Sequence, residues 1–441
     1  MGARLDRFFH LTELGTNVRT EALGGATTFM TMSYIIFVQP AILAAAGMDR
    51  GAVLTATCLA SALATLLMGL LANYPIAQAP AMGHNVFFAV VVCGVMGYSW
   101  QAALGAVFIA GLAQIILSLL GFYEKLVAAV PESLKHAIAV GIGLLIALIG
   151  LEYGGVVVAS PGTYIGLGDL TAKPVLLALA GTVFSIVLMA RRVKGAILLG
   201  ILGTGLAGVA LGIMKFHGLV AAPPSLAPTF LKLDIPGALH MGIFSVLFVF
   251  FFLDMFDCVG TLIGVSQPAG FMKAGKLPRA GKAILADAIG TVEGTLLGTS
   301  TVSSYIESTT GIAAGARTGL ANVVTAALFL AALFFSPLAE MIAGEVKLGE
   351  TVLRPAIAPA LILVGYLMMR SVKYIEWDDL SEAVPAFLAI IVTPLTQSIA
   401  EGIAFGFISY ALLKLASGKG KSVHALVYIF SVLFILRYVL G

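Results

Sequence analysis

The sequence predicts an all-α polytopic membrane protein built from two inverted halves of seven spans each. Three observations carry this reading: the composition, the recurrence of apolar runs, and a weak likeness between the halves. Hydrophobic residues make up 60% of the 441 positions and charged residues 11%, with a mean hydropathy of +1.04. A soluble domain is nearer one quarter charged and cannot keep this much apolar surface from water, so lipid is the solvent. Disordered, coiled-coil and collagen-like chains are excluded with it, and a formal charge of +3 names no nucleic acid or other polyanionic partner. Cys58, Cys93 and Cys258 lie in apolar segments without a CxxC pair, so no disulfide framework, no metal site and no cofactor is expected.

In chain order, residues 1–21 carry Arg4, Asp6, Arg7, Glu13 and Arg19 ahead of the first long apolar run and lack a small-residue cleavage site. They read as a cytoplasmic lead-in with a short amphipathic helix along Leu5–Leu11, not as a signal peptide. Crossing about 30 Å of hydrocarbon takes roughly 20 residues. Runs of that kind fall at 22–46, 52–72, 76–95, 101–121, 135–151, 173–190 and 195–214. A polar stretch with Pro223, Pro224 and Pro228 follows, and then runs at 242–265, 281–298, 300–316, 318–336, 353–370, 382–395 and 398–416. The tail, 417–441, holds one more apolar segment, Val423–Leu440, which either crosses the bilayer or lies in its interface.

Lys and Arg in the loops orient the chain. Lys125, Lys135, Arg191, Arg192, Lys194, Lys273, Lys276, Arg279, Lys282, Arg370, Lys373, Lys414, Lys419 and Lys421 fall on one side. The other side holds Arg50, Lys173, Lys215, Lys232, Lys347 and Arg354. The richer side is cytoplasmic, which places the N-terminus inside an inner or plasma membrane. The likeness between halves rests on two pairs of segments. TMSYIIFVQPAILAAAGM from Thr31 resembles DCVGTLIGVSQPAGFM from Asp257, and GDLTAKPVLLAL from Gly168 resembles DDLSEAVPAFLAI from Asp378. An odd number of spans per unit inverts the second copy, the construction of secondary transporters with sites at broken helices near the midplane.

Two segments are poor continuous helices: 74–88, which contains Pro75, Pro80 and Gly83, and 298–311, rich in Ser, Thr and β-branched residues. Irregular backbone at membrane depth is tolerated only inside protein or along a cavity. Both segments are therefore expected to run extended and then helical, with broken ends facing each other and free N–H donors turned to a ligand.

Ionisable residues inside a membrane are costly and usually functional. Asp257 and Glu307 are assigned a direct substrate or proton role. Asp254, three residues before Asp257, could share its helix face; with Asp287 and Glu293 it is assigned a structural role, capping broken segments or pairing with Ser, Thr or a cation. His84, beside Asn85, is either a ligand contact or a satisfied interior imidazole. Arg317 is either a snorkelling anchor or the ion-pair partner of a core acid, and Glu401 is a solvated helix-end residue. Carboxylate acceptors with backbone donors suit a planar heterocycle, and a buried carboxylate can also carry a proton. An anion carrier of the sulfate or bicarbonate kind on the same inverted-repeat fold would want fixed positive charge or only dipoles, and these acids argue against it. No metal-ligand spacing, nucleophile elbow or P-loop is present, so an enzyme is not expected and pumping must draw on an ion gradient.

Four stretches carry a family resemblance: GTNVRTEALGGATTFMTMSYIIFVQP (15–40), APAMGHNVFF (79–88), DMFDCVGTLIGV (254–265) and GTSTVSSYIESTTGIAAGARTGL (298–320). In them the chain resembles the adenine/guanine/hypoxanthine permeases, a branch of the nucleobase–cation symporters. The resemblance implies a core domain at 22–121 and 242–336, a gate domain at 122–214 and 353–416, and short strands in the third and tenth segments. It also implies purine uptake with protons by an elevator-like step, and dimerisation through gate domains. By motif position, Asp257 and Glu307 hold the base, Asn85 adds a polar contact, and backbone near Gly83, Ser304 and Tyr305 completes the edge. The chain departs from the pattern at His84, where an apolar residue is usual, and at Cys258, where a hydroxyl is common. An imidazole there adds a donor, changes the preferred purine or alters the pH dependence.

Overall fold

Side-chain caps mark where the chain turns helical. Behind the amphipathic α1 (Gly2–Phe9), Asn17 accepts from the Thr20 N–H at 3.0 Å and starts α2 (Val18–Met32). After α3 (Ile35–Ala44), Asp49 opens α4 (Arg50–Leu71) in the same way, accepting from the Ala52 N–H at 2.8 Å. A computed structural model describes residues 2–440 except 122–129, 161–162, 217, 241–242, 267–268, 273–276, 343 and 350. Lys125, Lys273 and Lys276 of the inward-loop set lie outside the described residues.

The chain continues through β1 (Gln78–Pro80), α5 (Met82–Val86), which runs on as a π-helix at Phe87–Val95, and α6 (Trp100–Leu119). Next come α7 (Glu132–Tyr153), the hairpin β2 (Val157–Ser160) and β3 (Tyr164–Leu167), α8 (Lys173–Ala190) and α9 (Ala196–Ala210). Then follow α10 (Ile235–His240), α11 (Ile243–Ser266), α12 (Ala280–Leu297), β4 (Val302–Ser304), α13 (Ser308–Ala313), α14 (Leu320–Ala332) and α15 (Ser336–Ile342). The hairpin β5 (Val346–Leu348) and β6 (Thr351–Leu353) leads into α16 (Ala358–Met369), α17 (Leu380–Leu395), α18 (Ile399–Ala416) and α19 (Ala425–Leu440).

Among the described residues, seven helical stretches are long and apolar enough to cross a bilayer: Val18–Ala44, Arg50–Leu71, Trp100–Leu119, Glu132–Tyr153, Lys173–Ala190, Val246–Ser266 and Leu320–Ile342. The fold is thus an all-α polytopic membrane fold, and side chains such as Leu119, Phe184, Leu206 and Leu412 stand exposed on it where lipid replaces water. The first predicted run is not one helix. At Ser33–Tyr34 it tightens into i→i+3 bonds, Ile36 N–H to Ser33 O and Phe37 N–H to Tyr34 O, both at 3.1 Å. The run predicted at 353–370 starts instead with the end of a hairpin, and its helix begins at Ala358.

The last segment is a helix laid against protein. Phe430 of α19 meets Phe252 of α11 at 4.7 Å and Phe407 of α18 at 6.0 Å between ring centroids. Ser431 Oγ donates to the Phe407 carbonyl at 2.9 Å. Glu401, read from the sequence as solvated, accepts the hydroxyl of Tyr438 in this tail helix.

Helices approach closely where glycines meet. α2 packs on α13 and α14, α4 on α3, α12 and α14, and α6 on α11 and α12; α7 packs on α16, α17 and α18, and α8 on α9 and α16. A Cβ on Gly319 would stand 2.0 Å from the Gly69 carbonyl oxygen, and one on Gly365 would stand 2.4 Å from that of Gly143. In lipid such contacts carry much of the association energy, because no hydrophobic drive operates between helices. Gly319→Ala is accordingly expected to destabilise the fold by about 1–3 kcal/mol. A thermal-unfolding midpoint in detergent matching the parent would show that α4 and the start of α14 part freely.

Charged loops tie elements together outside the apolar region. Glu345 bridges Arg50 and Arg354, the latter at 2.9 Å. Burial alone would raise the Glu345 pKa, but the Arg354 hydrogen bond and the two guanidinium charges outweigh it and hold the carboxyl low. Asp379, at the start of α17, is likewise held low by its hydrogen bonds to Lys419 and Ser381.

Candidate functional site

Two three-residue strands meet in the interior. β1 and β4 pair antiparallel, with Gln78 opposite Ser304, Ala79 opposite Ser303 and Pro80 opposite Val302, and all six are buried. Pro80 lacks an N–H and Val302 is β-branched, so both segments favour extended backbone over helix. Each strand then leads into a half-helix, α5 or α13. The loose backbone is satisfied locally: Ala81 N–H donates to Thr301 O and Tyr305 N–H to Ala77 O, both at 2.9 Å.

Helix α12 pins this pair from behind. Asp287 Oδ1 accepts from Gln78 Nε2 at 2.9 Å and from Ser304 Oγ at 2.8 Å, so one carboxylate oxygen holds both members of a register pair. One turn on, Thr291 Oγ1 lies 2.8 Å from the Val302 carbonyl and 3.1 Å from Asp254 Oδ2. Asn322 of α14 donates to Ile76 O at 2.8 Å and Thr65 O at 3.0 Å. Asp254 and Asp287 are each 1% exposed, inside this scaffold. Glu293 lies further along α12, and its Oε1 has no partner among the described residues.

Asp257 and Glu307 differ from those two acids, since both are half-buried. Asp257 lies beside the Ser303 hydroxyl of β4 and near Glu307. Glu307 stands at the N-terminus of α13, and its Oε1 accepts the Tyr34 hydroxyl at 2.9 Å. Tyr34 stands at the break in the first span. Gly260 and Gly264 follow Asp257 along α11; a Cβ on Gly260 would meet nothing within 4 Å, and one on Gly264 would lie 3.4 Å from Ile306 Cδ1. Ile306 is 45% exposed, so room remains between α11 and the turn before α13.

The other half-helix supplies His84 and Asn85, 3% and 0% exposed. Asn85 Oδ1 accepts the Ser300 hydroxyl, while Asn85 Nδ2 and both nitrogens of His84 have no partner among the described residues. A Cβ on Gly83 would come 2.7 Å from Ile142 Cγ2, so α5 lies directly against α7. Several polar groups of Ser304 and Tyr305 are already engaged within the scaffold. The Tyr305 N–H is committed to Ala77, its hydroxyl donates to Pro80 O at 2.5 Å, and the Ser304 hydroxyl is held by Asp287. What Tyr305 leaves available is its ring, 6.5 Å from the Tyr34 ring.

The Arg317 side chain is tied to backbone and, among the described residues, to no core acid. Its Nη1 donates to Ile312 O at 2.8 Å and Ala316 O at 2.7 Å, closing the end of α13. The acid near it is Glu21, which sequence reasoning passed over: fully buried, it accepts the Arg317 N–H at 2.8 Å and the Thr318 N–H at 3.2 Å. Tyr34 and Gln39 were passed over as well. A polar residue inside each of VRTEAL and MSYIIFVQP was the available signal. Among the described residues, no group of three or more His, Cys, Asp or Glu could hold a metal ion.

A model of the Xan_ur_permease family, described as a permease family, matches residues 19–419. The chain is 47% identical to the guanine/hypoxanthine permease PbuG of Bacillus subtilis, over 98% of this chain and 99% of that one. It is 44% identical to the adenine permease AdeP of Escherichia coli, over 99% and 96%. Among solved structures, the transmembrane domain of the cyanobacterial bicarbonate transporter BicA superposes with a TM-score of 0.62, covering 87% of this chain and 97% of that one. At 19% identity that likeness concerns the fold alone.

Proposed function

Because the chain belongs to this permease family, in the branch of the adenine and guanine/hypoxanthine permeases, we propose that it imports purine nucleobases by secondary active transport. The near full-length identity to two purine permeases carries the reading, and the chemistry of the interior fits it. Asp257 and Glu307 accept ring or exocyclic N–H groups of the base, Asn85 and His84 offer polar groups from the opposite half-helix, and backbone near Gly83 completes the edge. Tyr305 contributes its ring face. Uptake runs with protons, carried by Glu307 or Asp257.

The chain crosses an inner or plasma membrane fourteen times as two inverted sevens, with the N-terminus in the cytoplasm. The loop Lys and Arg distribution supports the orientation. Segments 22–121 and 242–336 form the moving core, and 122–214 and 353–416 form the gate, through which two copies dimerise. The packing partners support this division: α2, α4 and α6 lie on α11–α14, whereas α7 and α8 lie on α9 and α16–α18. The core moves against the gate in an elevator-like step.

The deciding experiment is labelled purine uptake in cells lacking their own purine permeases, with adenine, guanine, hypoxanthine, xanthine and uracil as competitors. Competition by purines but not uracil, and collapse with a protonophore, is expected. Competition by uracil alone would overturn the substrate class, and uptake indifferent to the protonophore would overturn the coupling ion.

A further inference from the structure

The purine reading leaves Gln39 unexplained, although a fully buried amide inside an apolar helix is costly unless it is bonded. We propose that Gln39, acting through Ser300, fixes the direction in which the Asn85 amide faces, and so sets the donor–acceptor sense in which the site reads a purine. Gln39 is a positioning residue in this proposal, which rests on the purine-permease reading.

Gln39, Ser300 and Asn85 are each 0% exposed. Gln39 Nε2 lies 2.9 Å from Thr299 Oγ1 and 3.3 Å from Ser300 Oγ, in the residues that lead into β4. The Ser300 hydroxyl in turn donates to Asn85 Oδ1. At the two ends of this chain, Gln39 Oε1 and Asn85 Nδ2 have no partner among the described residues.

A hydroxyl has one proton, and that proton links the two amides. While Gln39 turns its NH₂ to Ser300, the Ser300 proton is free to go to Asn85 Oδ1, and Asn85 is left presenting N–H donors. Were Gln39 to turn its carbonyl to Ser300, the proton would go there instead. Ser300 would then accept from Asn85 Nδ2, and Asn85 would present an acceptor. Thr299 steadies the first sense with a second acceptor for Gln39 Nε2. A buried NH₂ without a partner is unfavourable, and a ligand acceptor relieves it.

Purines differ in the property such a relay selects. Along the N1–C6 edge, hypoxanthine offers an N–H donor beside a carbonyl acceptor, and adenine offers a ring-nitrogen acceptor beside an amino donor. A site built to hydrogen-bond in one sense discriminates against the other, because its own polar groups are then left unpaired.

The test measures inhibition constants of adenine and hypoxanthine against labelled purine uptake in the parent protein, Gln39→Leu, Ser300→Ala and, as the direct-contact control, Asn85→Ala. Both constants come from one cell population, so their ratio does not depend on how much protein reaches the membrane. The parent ratio is expected to depart from unity by at least about tenfold. In Gln39→Leu and Ser300→Ala, as in Asn85→Ala, it is expected to fall to within about threefold of unity. Gln39 that merely satisfies buried hydroxyls would lower uptake of both bases and leave the ratio unchanged, which overturns the relay. A parent ratio near unity overturns it too. If the parent takes neither base, the purine reading falls and the relay with it. Two variants cut the chain at different points, so poor insertion of one leaves the other to decide.

Discussion

Asp257→Ala and Glu307→Ala are each expected to reduce purine uptake to the background of cells without the permease, while the protein remains in the membrane. A hydrogen bond to a charged group contributes about 1.5–3 kcal/mol, so losing one costs roughly 10- to 150-fold in affinity. Loss of a residue that also carries the coupling proton removes the driving force on top of that. The fold should tolerate both changes. Both residues are half-buried, and neither makes the contacts that hold β1 to β4. Ser303 Oγ makes no hydrogen bond among the described residues, so Asp257→Ala strands nothing there, and Glu307→Ala frees the Tyr34 hydroxyl. Uptake is compared with the amount of monodisperse protein extracted from the same membranes. Near-parental transport in either variant would remove that residue from the site.

The breaks in the third and tenth segments were legible because their causes are local. Pro75, Pro80 and Gly83 forbid a continuous helix at 74–88, and the Ser, Thr and Val run at 299–304 favours extended backbone. Asp257 stood out as an acid among apolar neighbours, and Glu307 as the one acid of the Ser- and Thr-rich segment at 298–311. Partners were not legible. Tyr34 and Glu307 are 273 positions apart, and Gln39 and Thr299 are 260 apart, so nothing in either segment announces the other. Arg317 shows the limit most clearly. Its charge suggested a core acid as partner, yet the geometry gives its side chain two carbonyls and gives Glu21 its backbone N–H. The tail was ambiguous because an apolar 16-residue helix fits an interface, a span or a packed surface equally; its contacts to Phe252 and Phe407 show that it packs on protein.

Asp287→Leu should abolish transport nearly as completely as loss of Asp257, but Asp287→Asn should keep it within about fivefold of the parent, because a neutral amide oxygen still accepts hydrogen bonds at roughly half the strength of a carboxylate. The contrast follows from what Asp287 does. Its Oδ1 takes Gln78 Nε2 and Ser304 Oγ together, and these two residues face each other across the strand pair from which both half-helices start. Leucine leaves the Ser304 hydroxyl without its acceptor, at about 1–3 kcal/mol, and leaves Gln78 Nε2 only its 3.3 Å bond to Ser304 Oγ, so the strand pair loosens. Asp257 and Glu307 would then lose their alignment although neither has been touched. Asparagine keeps an acceptor in the same place, so a role confined to holding the strands survives. A proton carried on Asp287 would not survive, since an amide cannot take it up and release it. Counterflow exchange of labelled purine, which needs no proton gradient, separates the two: Asp287→Asn that exchanges but cannot accumulate would move the coupling proton to Asp287, and full accumulation would leave it with the acids at the cleft.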